Sequence, residues 1–198
     1  MSPYKNIQQE DWKIVTQSLL DEHPLDEEEI VEIVLSCWKS IFDSSFGKKE
    51  FKVGQDILPK PQIMGFFLHE LIPLELVGRY QDVWRGDEDS HDKDCEFKDD
   101  SKYSFEIKTS SNPKRIFGNR SYAQSSSTNK KSKDGYYLTV NFEKFTKVIL
   151  NPEILIIRFG WIDSTDWVGQ KAPTGQQARL PSEVYEGKLK TIYKRIKN

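Results

Sequence analysis

The chain lacks what several protein classes require. It has two cysteines in 198 residues, Cys37 and Cys95, far apart and without paired-ligand spacing. They make no disulfide framework, and reduced thiols in a cytoplasmic protein are expected. Its three histidines, His23, His69 and His91, form neither an HExxH motif nor a Cys/His cluster, which argues against structural zinc. No apolar run approaches the roughly 18 residues of a membrane helix, and the first residues lack the apolar stretch of a signal peptide. No internal repeat is visible. Nor is there an overall excess of positive charge: the formal net charge is −2. That balance hides a segregation. Residues 21–32 and 87–100 are acidic, whereas 108–133 carry Lys108, Lys114, Arg115, Arg120, Lys130, Lys131 and Lys133 with no acid between them. A local basic patch binds phosphates whatever the total charge.

What is present reads as one α/β domain over 1–198, with a helical N-terminal part, 1–60, ahead of a core over 61–198. Trp12, Val15, Leu19 and Leu20 predict a helix over residues 10–22, ended by Pro24. Asp26 and the acids after it open a second helix with the stripe Ile30, Ile33, Val34, Cys37, Trp38, Ile41 and Phe42, a core face or else a dimer contact. A third helix is expected over 63–80, kinked or broken at Pro73 and buried because it is apolar on nearly every side. Glu70 is in phase with Ile63, Phe67 and Leu74, which leaves two alternatives. Either a metal or a base partners a buried carboxylate, or His69 and Glu70 reach the helix edge and meet solvent. Strands are expected over 136–142 and 154–162, and a polar helix with a basic end over 183–196.

The informative stretch is 94–109. Alternation puts Cys95, Phe97, Tyr103, Phe105 and Ile107 on one face of a hairpin and Asp94, Glu96, Lys98, Ser104, Glu106 and Lys108 on the other. A three-residue turn, Asp99-Asp100-Ser101, sets Asp94 opposite Glu106. Two facing carboxylates call for a cation, and an oxygen-liganded Mg²⁺ suits a site for phosphates, with the Ile107 carbonyl as a further ligand. Lys108, on the same face, would touch a phosphate oxygen, orient water or stabilise developing charge. The plainer alternative is a solvated hairpin face with a Glu–Lys pair.

The segments that follow favour duplex DNA as the partner. Thr109, Ser110, Ser111, Lys114, Arg115, Asn119, Arg120, Tyr122 and Gln124 supply phosphate-binding and base-reading groups, with Lys130 and Lys131 beyond them. Gly118 would permit close backbone approach. A second polar set contains Trp167, Gln170, Lys171, Thr174, Gln176, Gln177 and Arg179. Either segment could equally be an ordinary surface loop. Trp12, Trp38 and Trp84 read as packing residues.

Asp94 … Glu106-Ile107-Lys108 resembles the PD-(D/E)xK nuclease signature, with Lys93 where that signature has Pro. More narrowly, five stretches resemble ScaI-type type II restriction endonucleases: residues 61–71, 106–110, 116–122, 135–138 and 158–161. The resemblance implies a restriction-endonuclease-like core, a mixed β-sheet flanked by helices. It implies a homodimer making Mg²⁺-dependent double-strand breaks at a short palindrome, and a cognate DNA methyltransferase as genetic partner. By it Asp94 and Glu106 hold the metal, Lys108 orients water, and Glu70 matches a helix carboxylate near the metal, with Asp92 as the alternative first acid. The competing functions are a repair or junction-resolving nuclease of the same fold, and a non-catalytic DNA-binding module.

Overall fold

The structure is a computed structural model, described for residues 2–124, 131–172 and 174–196. In chain order it contains helices α1 (Trp12–Asp21) and α2 (Glu27–Asp43), strands β1 (Ser45–Phe46) and β2 (Phe51–Lys52), and helix α3 (Pro61–Arg79). Strands β3 (Trp84–Gly86), β4 (Cys95–Phe97), β5 (Phe105–Ser110), β6 (Phe117–Asn119), β7 (Gly135–Phe142), β8 (Ile154–Ile162), β9 (Val168–Gly169) and β10 (Gln177–Arg179) follow. Helix α4 (Ser182–Gly187) and strand β11 (Lys190–Lys194) close the chain.

The central sheet has six strands in the order β11-β8-β7-β5-β4-β3. Only β5 and β7 pair in parallel. The sheet is therefore mixed, with its parallel pair inside. Helices α1–α3 cover one face. Asp26 caps α2 by accepting from the Glu29 amide, and Glu27, Glu28 and Glu29 fill its first turn, complementing the helix dipole. The stripe Ile30, Ile33, Val34, Cys37, Trp38 and Ile41 is buried against Phe105, Ile107, Leu138, Val140 and Phe142. It is core and not a contact between copies. The opposite face carries a smaller core of Ile116, Tyr137, Ile162, Trp167, Ala178, Leu180, Val184 and Leu189 under a three-stranded sheet, β6-β10-β9.

Two expectations about elements fail. The 183–196 segment is not one helix. Gly187 ends α4 against the Trp12 ring, where a Cβ would have no room. Lys188 then turns inward onto Asp163 and Asp166, and the chain pairs with β8 as β11. Helix α3, in turn, runs through Pro73 without a break. It is not buried all round either: Ile63, Phe66 and Leu74 are 48%, 58% and 65% exposed. Among the described residues no helix is long and apolar enough to cross a membrane.

Candidate active site

The site is built on β5, because its neighbours hold it from both sides. β7 pairs Tyr137 with Glu106 and Thr139 with Lys108, and β4 pairs Cys95 with Phe105. That last register is the one the alternation requires, and it sets Asp94 across from Glu106. The turn is not the expected three residues. β4 and β5 are joined by residues 98–104, with a 3-10 turn at Ser101–Tyr103 and Asp100 accepting from the Lys102 amide. Ser104 Oγ takes the Phe97 amide at 3.0 Å and donates to Glu96 at 2.8 Å. A side chain thus replaces a ladder bond, and the register survives the longer turn. On the charged face Glu96 and Glu106 are both buried, while Lys98 at its end is exposed.

Three lysines converge on Glu106. Lys108 Nζ lies 3.1 Å from Oε2, Lys131 Nζ 2.7 Å from Oε1 and Lys93 Nζ 3.7 Å from Oε1. Lys131 also stands 3.3 Å from Asp94 Oδ1, so one ammonium bridges the two facing carboxylates. Asp94 Oδ2 accepts from the Ile107 amide at 2.6 Å, which fixes its side chain against β5. Lys108 Nζ also donates to the Ile107 carbonyl at 3.0 Å and lies 5.1 Å above the Tyr122 ring. The Tyr122 hydroxyl donates to Glu106 Oε2 at 3.4 Å.

Burial works against the charge on Lys108, but Glu106, Tyr122 and Asp94 outweigh it and hold its pKa above the ordinary lysine value. Lys108 is an ammonium, suited to stabilising anions and orienting water and not to taking a proton. Burial would raise the Asp94 pKa; Lys108, Lys131 and the Ile107 amide reverse it, so this carboxyl sits below its ordinary value. Burial lowers the pKa of Lys93 despite Glu106, and of His69 despite Asp94. A neutral His69 makes its 3.6 Å approach to Asp94 a polar contact, not an ion pair.

The chemistry of the donors fits a hard cation. Glu106 Oε1 is buried and accepts no hydrogen bond of good geometry, so only the nearby ammonium groups balance it. Asp94, Glu106 and the Ile107 carbonyl together present oxygen donors alone. Among the described residues there is no cluster of three or more His, Cys, Asp or Glu side chains that would hold a metal by themselves. Glu70 in particular is exposed on the cleft wall, so the solvent-facing alternative for its helix face is the one found. Asp92 is directed elsewhere, 2.6 Å from Arg85, which with the Glu88 amide lowers its pKa to about 2.

A cleft of about 980 Å³ opens beside Asp94, and Glu70, His69, Thr109, Ser110, Ser111 and Gln177 line it. The two polar segments, distant in sequence, meet here. β6 and β10 pair Asn119 with Gln177 and Phe117 with Arg179. Asn119, Gln176 and Gln177 are exposed on or beside this small sheet. Other expected DNA contacts lie off the cleft. Arg115 and Arg179 line a separate depression, and Lys114 another. Arg120 donates to the carbonyls of Ala172 and Gly175, and Gln124 is exposed with its carbonyl accepting from Lys133. Lys130 lies outside the described residues. Trp167 is not part of a reading surface: it is buried 4.9 Å from the Tyr122 ring. Gly118 admits those two rings, since a Cβ there would come within 3.1 Å of both.

Three features went unread in the sequence. Lys93 fills the Pro position, and its buried Nζ donates to the Ser132 carbonyl at 2.5 Å. Tyr137 closes the floor of the site 5.9 Å from Lys108. Lys131 and Tyr122, expected to meet DNA, contact the carboxylates in this structure. The departure at position 93 was the visible signal for the first. Tyr137 follows only from a parallel pairing, which local pattern does not reveal.

A mixed sheet carrying Asp94, Glu106 and Lys108 beside a cleft of hydroxyl and amide groups defines a nuclease with a restriction-endonuclease-like core. The ScaI restriction endonuclease family model matches residues 2–193. A curated relative, the type II restriction enzyme ScaI of Streptomyces caespitosus, is 48% identical over 194 residues, 97% of this chain and 85% of that protein. The chain belongs to the ScaI restriction endonuclease family, and so is a type II restriction enzyme, a site-specific deoxyribonuclease. No solved structure matches it.

Proposed function

We propose that the chain makes Mg²⁺-dependent double-strand breaks at a short palindromic DNA sequence. It would act as a single-domain homodimer in the cytoplasm, with a cognate DNA methyltransferase as genetic partner. The observation that carries this is the facing pair Asp94 and Glu106 bridged by a cation, with Lys108 beside them. Asp94, Glu106 and the Ile107 carbonyl would hold the metal in place of the Lys131 ammonium. When bound, the metal lowers the pKa of a coordinated water and offsets charge on the phosphate. Lys108, held charged by Glu106, orients that water and stabilises the developing negative charge. Lys131, freed from the carboxylates, is within reach of a phosphate. Glu70, on the cleft wall, serves the site through the cleft water.

Thr109, Ser110 and Ser111 fit phosphate oxygens. Asn119, Gln176 and Gln177 fit base edges, with Lys114, Arg115, Arg120, Gln124, Lys130 and Arg179 supporting the contact. A palindrome offers the same half-site twice, so two copies related by a two-fold axis each cut one strand. Digestion of a linear DNA of known sequence with Mg²⁺, followed by mapping of the ends, tests this. Discrete fragments sharing one palindrome are expected. Cleavage confined to branched or nicked DNA would assign a junction-resolving or repair nuclease, and binding without cleavage a DNA-binding module.

A further inference from the structure

We infer that Tyr122 is a positioning residue that couples DNA reading to the reacting pair. Cleavage at the correct sequence, and not binding alone, would then depend on it. The inference rests on the cleavage reading above and adds where discrimination is exercised.

Tyr122 belongs to two structures at once. Its 3-10 turn, Arg120–Ala123, follows directly on β6 of the small sheet. That turn is tied to the β10 side by the Arg120 amide, which donates to the Gln176 carbonyl at 2.8 Å, and by the Arg120 guanidinium on Gly175 at 2.7 Å. Lys133 donates to the carbonyls of Ser121 and Gln124 and closes the turn from the other side. Gly118 and Trp167 grip the ring from beneath. A shift of the β6–β10 sheet therefore moves the ring as one body. At the other end the same side chain meets the chemistry, its hydroxyl on Glu106 Oε2 at 3.4 Å and its face 5.1 Å from Lys108 Nζ. The hydroxyl contact is longer than the roughly 2.7 Å usual for O–H···O. Seating the reading sheet on its correct sequence has room to shorten it, drawing Glu106 and Lys108 into the productive arrangement. A misread sequence leaves the sheet, and so the pair, displaced. Errors of about 1 Å at reacting groups cost up to about 100-fold in rate.

The test uses wild type, Tyr122→Phe and Tyr122→Leu as full chains. Each digests the same DNA library with Mg²⁺, and every end is sequenced over time. This yields rates at the dominant site and at sites one base different. Binding is measured separately with Ca²⁺, and thermal unfolding checks the fold. Tyr122→Phe keeps the ring on Trp167 and removes the hydroxyl. It should bind DNA as tightly as wild type, cut the dominant site about 10- to 100-fold more slowly, and narrow the ratio between dominant and one-base-different sites. Tyr122→Leu should narrow it further; should it fail to fold, Tyr122→Phe decides alone. Unchanged rate and ratio in Tyr122→Phe would overturn the coupling. So would a slower rate with an unchanged ratio. Wild type without discrete ends would instead overturn the cleavage reading, and the coupling with it.

Discussion

Two groups of buried lysines and carboxylates, one just past the end of β8 and one around β5, are built differently. In the first, Lys188 Nζ sits 2.7 Å from Asp163 and 2.8 Å from Asp166, with the Tyr4 and Trp12 rings 4.5 and 4.6 Å away. Its carboxylates are held too: Asp163 accepts from Ser2 Oγ, and Asp166 accepts from the Asp163 amide. One buried cation meets two fixed anions and ties Ser2 and Tyr4 to the end of α4. In the second, three lysines surround Glu106, one of its oxygens lacks a hydrogen bond, and Asp94 beside it faces a cleft. The satisfied cluster holds the fold. The open one, in the function proposed above, would keep a place for a cation and a phosphate.

The largest effect should come from breaking the closed cluster. Lys188→Met leaves Asp163 and Asp166 buried without their cation and should cost about 3–5 kcal/mol by urea unfolding. An unfolding midpoint close to wild type would show that the two clusters do not differ as described. Next, Lys108→Met should lower the single-turnover cleavage rate about 100- to 1,000-fold, while DNA binding in Ca²⁺ stays intact. A fall in binding equal to the fall in rate would make Lys108 a DNA contact only.

His23 sharpens the contrast, being a buried base with no carboxylate partner among the described residues. Its ring accepts from the Leu25 amide and meets the Tyr103 carbonyl, packed among Tyr136 and Phe159. Burial lowers its pKa from 6.5 to about 4. The unfolded chain therefore takes the proton first, and stability present above pH 6.5 is lost as pH falls toward 4. The loss should reach about 3 kcal/mol, and His23→Gln should flatten that part of a pH series of unfolding curves. The smallest effect is expected at Lys131. Lys131→Met removes the ammonium between Asp94 and Glu106 and should tighten Ca²⁺ binding roughly fivefold, about 1 kcal/mol, by calorimetry without DNA. Weaker binding would mean that the lysine is no stand-in for a metal.

What could be read locally was read well. The α2 stripe, the strand at Ile154–Ile162 and the hairpin register all follow from period and capping, which neighbours in sequence dictate. Where distant partners decide, neighbours in sequence carry no signal. Lys188 needs Asp163 and Asp166 to turn the chain out of a helix and into β11. Glu70 could be read either way from an α3 apolar on nearly every side, and only the sheet, which covers one of those sides, leaves it exposed. Lys131 and Tyr122 read as DNA contacts from composition, and only the folded loop brings them onto Glu106. Their chemistry was visible in the sequence and their place was not.

Parallel digestion of one linear DNA with Mg²⁺ by wild type, Asp94→Asn and Asp92→Asn tests the central claim, that the carboxylates holding the metal are Asp94 and Glu106. Discrete fragments are expected from wild type and from Asp92→Asn, and none from Asp94→Asn. Fragments from Asp94→Asn, or their loss in Asp92→Asn alone, would contradict it.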